Sequence, residues 1–121
     1  MKRISMLALL PVVYISSKMT DNYSRRSANK TYRFALSSLQ EVNFFDDLIV
    51  VNKDKKYQVF SSKCTHLGCR LRIQEGDKIV CSCHGSRFSL KGEVDTGPAT
   101  LPLKKIPFVL SKDEIIINTS V

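Results

Sequence analysis

Helical periodicity is nearly absent from this 121-residue chain, internal repeats are missing, and histidine occurs only twice. A helical bundle and a solenoid are excluded by the first two absences. Long apolar runs are lacking too. The longest, residues 4–15, is interrupted by Ser5 and Pro11 and follows Lys2 and Arg3. As a helix it would reach about 18 Å, against roughly 30 Å of membrane hydrocarbon, so a comfortable transmembrane helix is not expected. A charged pair before an apolar stretch matches the grammar of an export signal, but no small-x-small cleavage site follows at Ser16, Ser17, Lys18 and Met19. Three readings stand for residues 1–15: a cleaved signal, a short anchor giving membrane association, or a plain N-terminal segment. Residues 16–31 are Ser, Lys, Asn, Arg and Thr with few large apolar side chains, the composition of a solvated linker.

The net charge of +8 is unevenly spread. Residues 1–33 hold seven basic groups and one acid, a net of +6, and the other 88 residues hold twelve against ten, a net of +2. Nucleic-acid domains gather basic and aromatic residues on their folded part, so nucleic acid is excluded as a partner.

From residue 32 to 121 short apolar runs alternate with polar turns, which predicts one all-β domain of antiparallel strands. Residues 48–51 and 57–60 flank a turn at 52–55, and residues 106–110 and 114–118 flank one at 111–113. A third hairpin runs through residues 70–73, turns at 75–77 and returns at 78–80. Its pairing sets segments 64–69 and 81–86 side by side at one end of the sheet. Residues 37–45 are the one stretch expected to turn helically.

Those two segments hold every cysteine and histidine: Cys64-Thr65-His66-Leu67-Gly68-Cys69 and Cys81-Ser82-Cys83-His84-Gly85-Ser86. Separated boxes brought together by a hairpin are what a metal site needs. Two structural disulfides would leave both histidines unexplained. Zinc is the stronger rival, since Cys81 and His84 have zinc-like spacing, but Cys64-x-His66 is tight and six potential ligands are too many for one tetrahedral ion.

The boxes resemble the paired cluster-binding loops of the Rieske [2Fe-2S] family, C-T-H-L-G-C and C-x-C-H-G-S, over about 23 contiguous residues. The resemblance implies stacked antiparallel sheets with the two loops at one end, and one [2Fe-2S] cluster per chain. By it, Cys64 and Cys81 ligate one iron and His66 and His84 the other. Neutral imidazoles in place of thiolates imply a potential of about −150 to +300 mV, against about −400 mV for plant-type ferredoxins. The resemblance further implies a Cys69–Cys83 disulfide across the loops, which is usual in quinol-oxidising subunits and arsenite oxidase small subunits and generally lacking in ring-hydroxylating ferredoxins. Two free buried thiols are the alternative.

Further positions follow from the same resemblance. Ser86 stands where high-potential members place a serine that bonds a cluster sulfur, and Phe88 departs from a tyrosine common there, which implies a lower potential. Gly97, Pro98 and Ala99 resemble the start of a proline loop that shields the cluster, with Thr100 in place of a proline and Pro102 two positions on. The implied function is one-electron transfer in a quinol-linked or respiratory chain, with a cytochrome or oxidoreductase subunit as partner, and with quinol if the domain serves a quinol:cytochrome complex. The alternative is the small subunit of a larger oxidoreductase, arsenite-oxidase-like or ring-hydroxylating. A single-chain oxygenase is excluded, because no histidine remains for a second iron site. A persisting disulfide implies an extracytoplasmic address.

Overall fold

A computed structural model describes residues 29–119. Ten strands follow in order: β1 Lys30–Ala35, β2 Val42–Phe44, β3 Leu48–Lys53, β4 Lys56–Ser61, β5 Ile73–Glu75, β6 Lys78–Val80, β7 Arg87–Ser89, β8 Val94–Thr96, β9 Phe108–Leu110 and β10 Glu114–Thr119. A single 3-10 turn, Leu36–Ser38, separates β1 from β2. The strands make three sheets, ordered β1-β10-β9, β2-β3-β4 and β5-β6-β7-β8. The fold is therefore all-β, and no described helix is long and apolar enough to cross a membrane. Two units are distinguished, Thr31–Asn118 and Met1–Lys30 with Thr119–Val121; the second lies almost wholly outside the described residues. The signal or anchor reading of residues 1–15, and nearly all of the linker reading of 16–31, also lie outside them. Strand β1 begins at Lys30, so Lys30 and Thr31 are strand rather than linker.

The β2-β3-β4 sheet explains why residues 48–51 show no alternation. All four are buried, because both faces of the sheet are covered. Ile49 and Val51 join Phe60, Leu71, Ile79 and Phe88 in one apolar cluster, while Leu48, Val50 and Val59 join Ile115 and Ile117 in the other. The β3–β4 hairpin closes on Asp54 and Lys55 alone, both at positive φ (52° and 59°), the backbone of a two-residue type I′ turn. Asn52 and Lys53 are thereby drawn into the ladder opposite Tyr57 and Lys56.

Other boundaries move for equally local reasons. Of residues 37–45 only the start turns helically, in the 3-10 turn Leu36–Ser38; farther on, Val42 and Phe44 pair with Val51 and Ile49, and the Asn43 side chain donates to the Val50 carbonyl at 3.2 Å. A partner strand outweighs a weak local preference. Residues 70–72 leave the third hairpin, since Leu71 is buried in the core and its N–H donates to the Ser62 carbonyl at 2.7 Å. Strand β9 starts at Phe108 rather than 106. Pro107 has no N–H to donate, and Ile106 instead bonds the Val59 carbonyl at 2.8 Å. The β5–β6 hairpin still delivers the two Cys/His boxes to one end, its register being Ile73 to Val80 and Glu75 to Lys78.

Gly92, in the turn between β7 and β8, has φ +81°, and a Cβ there would lie 2.5 Å from the Phe60 ring. Gly76 also has positive φ (+58°) but faces open space. Gly92→Ala is expected to cost about 1–3 kcal/mol of overpacking beyond the backbone strain, whereas Gly76→Ala should cost only about 1 kcal/mol. Denaturant unfolding of the two variants checks this. Equal losses would mean that the turn does not rest on Phe60.

Candidate metal centre

Each box folds into a loop closed by its first cysteine. The Cys64 N–H donates to the Cys69 carbonyl at 2.7 Å, and the Cys81 N–H donates to the Ser86 carbonyl at 2.8 Å. Inside each loop a glycine N–H returns to the cysteine carbonyl, Gly68 to Cys64 at 2.9 Å and Gly85 to Cys81 at 3.0 Å. Both glycines sit in the left-handed region, at φ +79° and +81°. The loops thus share one backbone design, whose sequence signal is Cys-x3-Gly in both boxes. Their side chains differ at equivalent positions: His66 matches Cys83, Leu67 matches His84, and Cys69 matches Ser86.

Cys69 and Cys83 form a disulfide across the loops, with Cα atoms 6.5 Å apart. Cys64 and Cys81 are free and buried. The sulfurs of Cys69, Cys81 and Cys83 lie within 4.8 Å of one another, but a disulfide removes two of these from any ligand set. The His66 and His84 rings stand edge to face, centroids 5.0 Å apart. His84 is exposed and His66 half-buried, with Nδ1 of His66 buried and without a hydrogen-bond partner. Burial pushes the Cys64 thiol above its ordinary pKa, and the adjoining Cys81 thiol adds to this. The His66 backbone N–H and the Ser86 hydroxyl oppose it by bonding the sulfur.

A third segment closes over the loops. The buried Ser86 Oγ accepts the Ala99 N–H at 3.0 Å, and the Thr65 hydroxyl donates to the Leu101 carbonyl at 2.6 Å. Of the three residues expected to shield the site, Ala99 is packed in the core cluster that includes Cys64 and Cys81, while Gly97 and Pro98 are exposed. Phe88 is fully buried in that cluster. Thr65 is a positioning residue that the sequence reading missed. Its only signal was a hydroxyl between two candidate ligands. Leu67 and Leu101 remain 70% and 63% exposed beside these loops.

The family model for the Rieske [2Fe-2S] domain matches residues 29–107. The cytochrome b6-f complex iron-sulfur subunit of Chlorobaculum thiosulfatiphilum is 42% identical over 74 residues, covering 60% of this chain and 41% of that protein. The chain therefore spans about two fifths of the length of this curated relative. Among solved structures, the plasma membrane Rieske protein PetC3 of Synechocystis PCC 6803 superposes with a TM-score of 0.54 at 30% identity, over 58% of this chain and 74% of that one. A chain of a hyperthermophilic respiratory complex III shares the fold at 18% identity and a TM-score of 0.60, over 91% of this chain and 98% of that one.

The donors present suit a two-iron, two-sulfur group: two free buried thiols, two imidazoles, and an unpartnered ring nitrogen of His66. Removing the disulfide leaves Cys2His2, which is also a zinc number, so excess ligands no longer argue against zinc and the family match does. Ser86→Ala leaves the Ala99 N–H without its acceptor in a buried setting. A loss of about 1–3 kcal/mol is expected, with faster hydrogen exchange at the Ala99 amide. Unchanged exchange there would show that the segment is held by other contacts.

Proposed function

Since the chain belongs to the Rieske [2Fe-2S] family, we propose that it carries single electrons on one cluster held by Cys64, His66, Cys81 and His84, within a quinol-linked or respiratory chain. The observation that carries this reading is the pair of free buried thiols beside two imidazoles, one with an unpartnered buried nitrogen, on loops tied by a disulfide. When bound, the cluster supplies one-electron redox chemistry at a potential raised by its two neutral ligands. The chain's own residues set the surroundings. The His66 N–H and the Ser86 hydroxyl favour charge on the Cys64 sulfur, and Ala99 belongs to the same apolar cluster as the two cysteines. His84, exposed at the loop end, is the ligand that a donor such as quinol or a protein acceptor meets.

The disulfide favours the quinol-oxidising branch over a ring-hydroxylating ferredoxin, and it supports an extracytoplasmic address. The cytochrome b6-f relative points to assembly with a cytochrome partner. Membrane association through residues 1–15 belongs to the same reading. The arsenite-oxidase-like small subunit stays as the second reading, favoured by the same disulfide, and copurification with a molybdenum subunit rather than a cytochrome b would select it.

The purified protein is expected to hold about two irons and two acid-labile sulfides per chain and to take up one electron per chain in a reductive titration. Cys64→Ser and Cys81→Ser should each lose the iron. One zinc per chain, with no reducible chromophore, would overturn the proposal. Phe88→Tyr places a hydroxyl in the apolar cluster that also holds both cysteines and is expected to raise the midpoint by tens of millivolts, through a hydrogen bond to sulfur. Potentiometry on the intact variant checks this, and an unmoved midpoint would remove Phe88 from the tuning residues.

A further inference from the structure

We propose that Lys63, Arg70, Arg72 and Lys104, with Lys105, form a docking surface for the acidic face of a protein redox partner, beside the first loop; this rests on the electron-transfer reading above. The end of β4 continues to Lys63 between two other segments. On one side the Ser61 N–H bonds the Lys104 carbonyl at 2.8 Å and Phe60 bridges Lys105; on the other the Leu71 N–H bonds the Ser62 carbonyl and Lys63 bridges Arg70. Ser62, Leu71 and Leu103 turn into the core, so their neighbours in these segments turn outward, and all five basic residues are exposed.

Like charges directly opposite across strands destabilise a sheet, yet Lys63 faces Arg70. The compensation is thin. Arg70 meets Asp46 at 3.3 Å, and the side chains of Lys63, Arg72, Lys104 and Lys105 make no ion pair among the described residues. The Asp47 carboxylate accepts the Tyr32 hydroxyl at 2.8 Å. Other basic residues of the domain are paired, as in Arg33–Glu114, Lys78–Asp95 and Arg87–Glu75. The groove lined by Val51 and Leu90 holds charges of both signs, Lys53, Lys56 and Lys91 with Asp54, Asp77 and Glu93. Positive charge is thus left uncompensated beside the loop of candidate ligands, where it can steer an acidic partner toward His66 and His84. A protein fits better than a lipid surface because Leu67 on the first loop and Leu101, whose carbonyl accepts the Thr65 hydroxyl of that loop, are both exposed and add apolar surface beside the charged flank, as in a protein interface.

The test uses the full-length, cluster-loaded protein and stopped-flow oxidation by three probes: an acidic c-type cytochrome, a basic one and a small neutral quinone. The rate with the acidic cytochrome is expected to fall about tenfold between roughly 20 and 300 mM salt. Lys63→Glu with Lys104→Glu should lower it about tenfold at low salt, with the quinone rate unchanged, whereas Lys53→Glu with Lys91→Glu should change it less than about twofold. Salt-independent rates, or equal losses in the two double variants, would overturn the proposal. So would a Lys63/Lys104 variant that keeps its cytochrome rate but no longer binds phosphatidylglycerol vesicles, which would assign the patch to lipid. Failure of the electron-transfer reading looks different: the quinone too would stay unreduced. Calorimetric binding to a zinc-substituted acidic cytochrome, which needs no electron transfer, then still decides the docking surface by its loss in the Lys63→Glu, Lys104→Glu variant.

Discussion

Cys64 and Cys81 are buried in the same apolar cluster as Phe60, Leu71, Ile79, Phe88 and Ala99, and the rest of the site depends on that placement. A sulfur packed among carbon atoms has lost its water, so its charged form must be stabilised by whatever the protein points at it. Here those groups are few: the His66 backbone N–H and the Ser86 hydroxyl at Cys64. Both come from the loops themselves, so the same turns that position the donors also set their electrostatics. The histidine rings are less deeply buried, with His84 exposed and His66 half-buried. The two candidate cysteine donors are held by the core, and of the two histidines only His84 is presented to solvent.

The two loops solve one geometric problem twice. A cysteine amide closed onto the residue five positions later, with a left-handed glycine between, makes a compact bay by backbone hydrogen bonds alone. Evolving different chemistry on equal backbones needs only a change of side chain at a given position. The disulfide then joins position five of one loop to position two of the other. It limits how far the bays can separate, and it leaves Ser86, the counterpart of Cys69, free to reach both Cys64 and the Ala99 amide.

The all-β fold, the convergence of the two boxes and the Cys69–Cys83 link were legible in the sequence, because each rests on short-range pattern or motif. The apolar runs flanking the β3–β4 turn, and a hairpin between the boxes, needed no tertiary information. The failures share a cause. Val42–Phe44 became a strand, and Arg70–Arg72 left one, because a distant neighbour offered better hydrogen bonds and burial than the local pattern suggested. Thr65 reads as an ordinary polar residue until the Leu101 carbonyl is placed beside it, 36 residues away. The basic flank was invisible for the same reason: Lys63, Arg70 and Lys104 are scattered in sequence, and in a count of charges the whole body looks close to neutral.

That scatter matters for how the domain meets another molecule. A charge pattern created only by strand pairing cannot be moved without altering the pairing, since Lys63 sits one residue before Cys64 and Arg70 one residue after Cys69. The basic positions are therefore indexed to the loop as firmly as the candidate ligands are. A partner attracted by Lys63 and Lys104 arrives with its register to His66 and His84 already limited by backbone hydrogen bonds such as Ser61 to Lys104. In the proposed encounter, long-range attraction and electron transfer would share one backbone frame, so orientation would cost little conformational search once the encounter has formed.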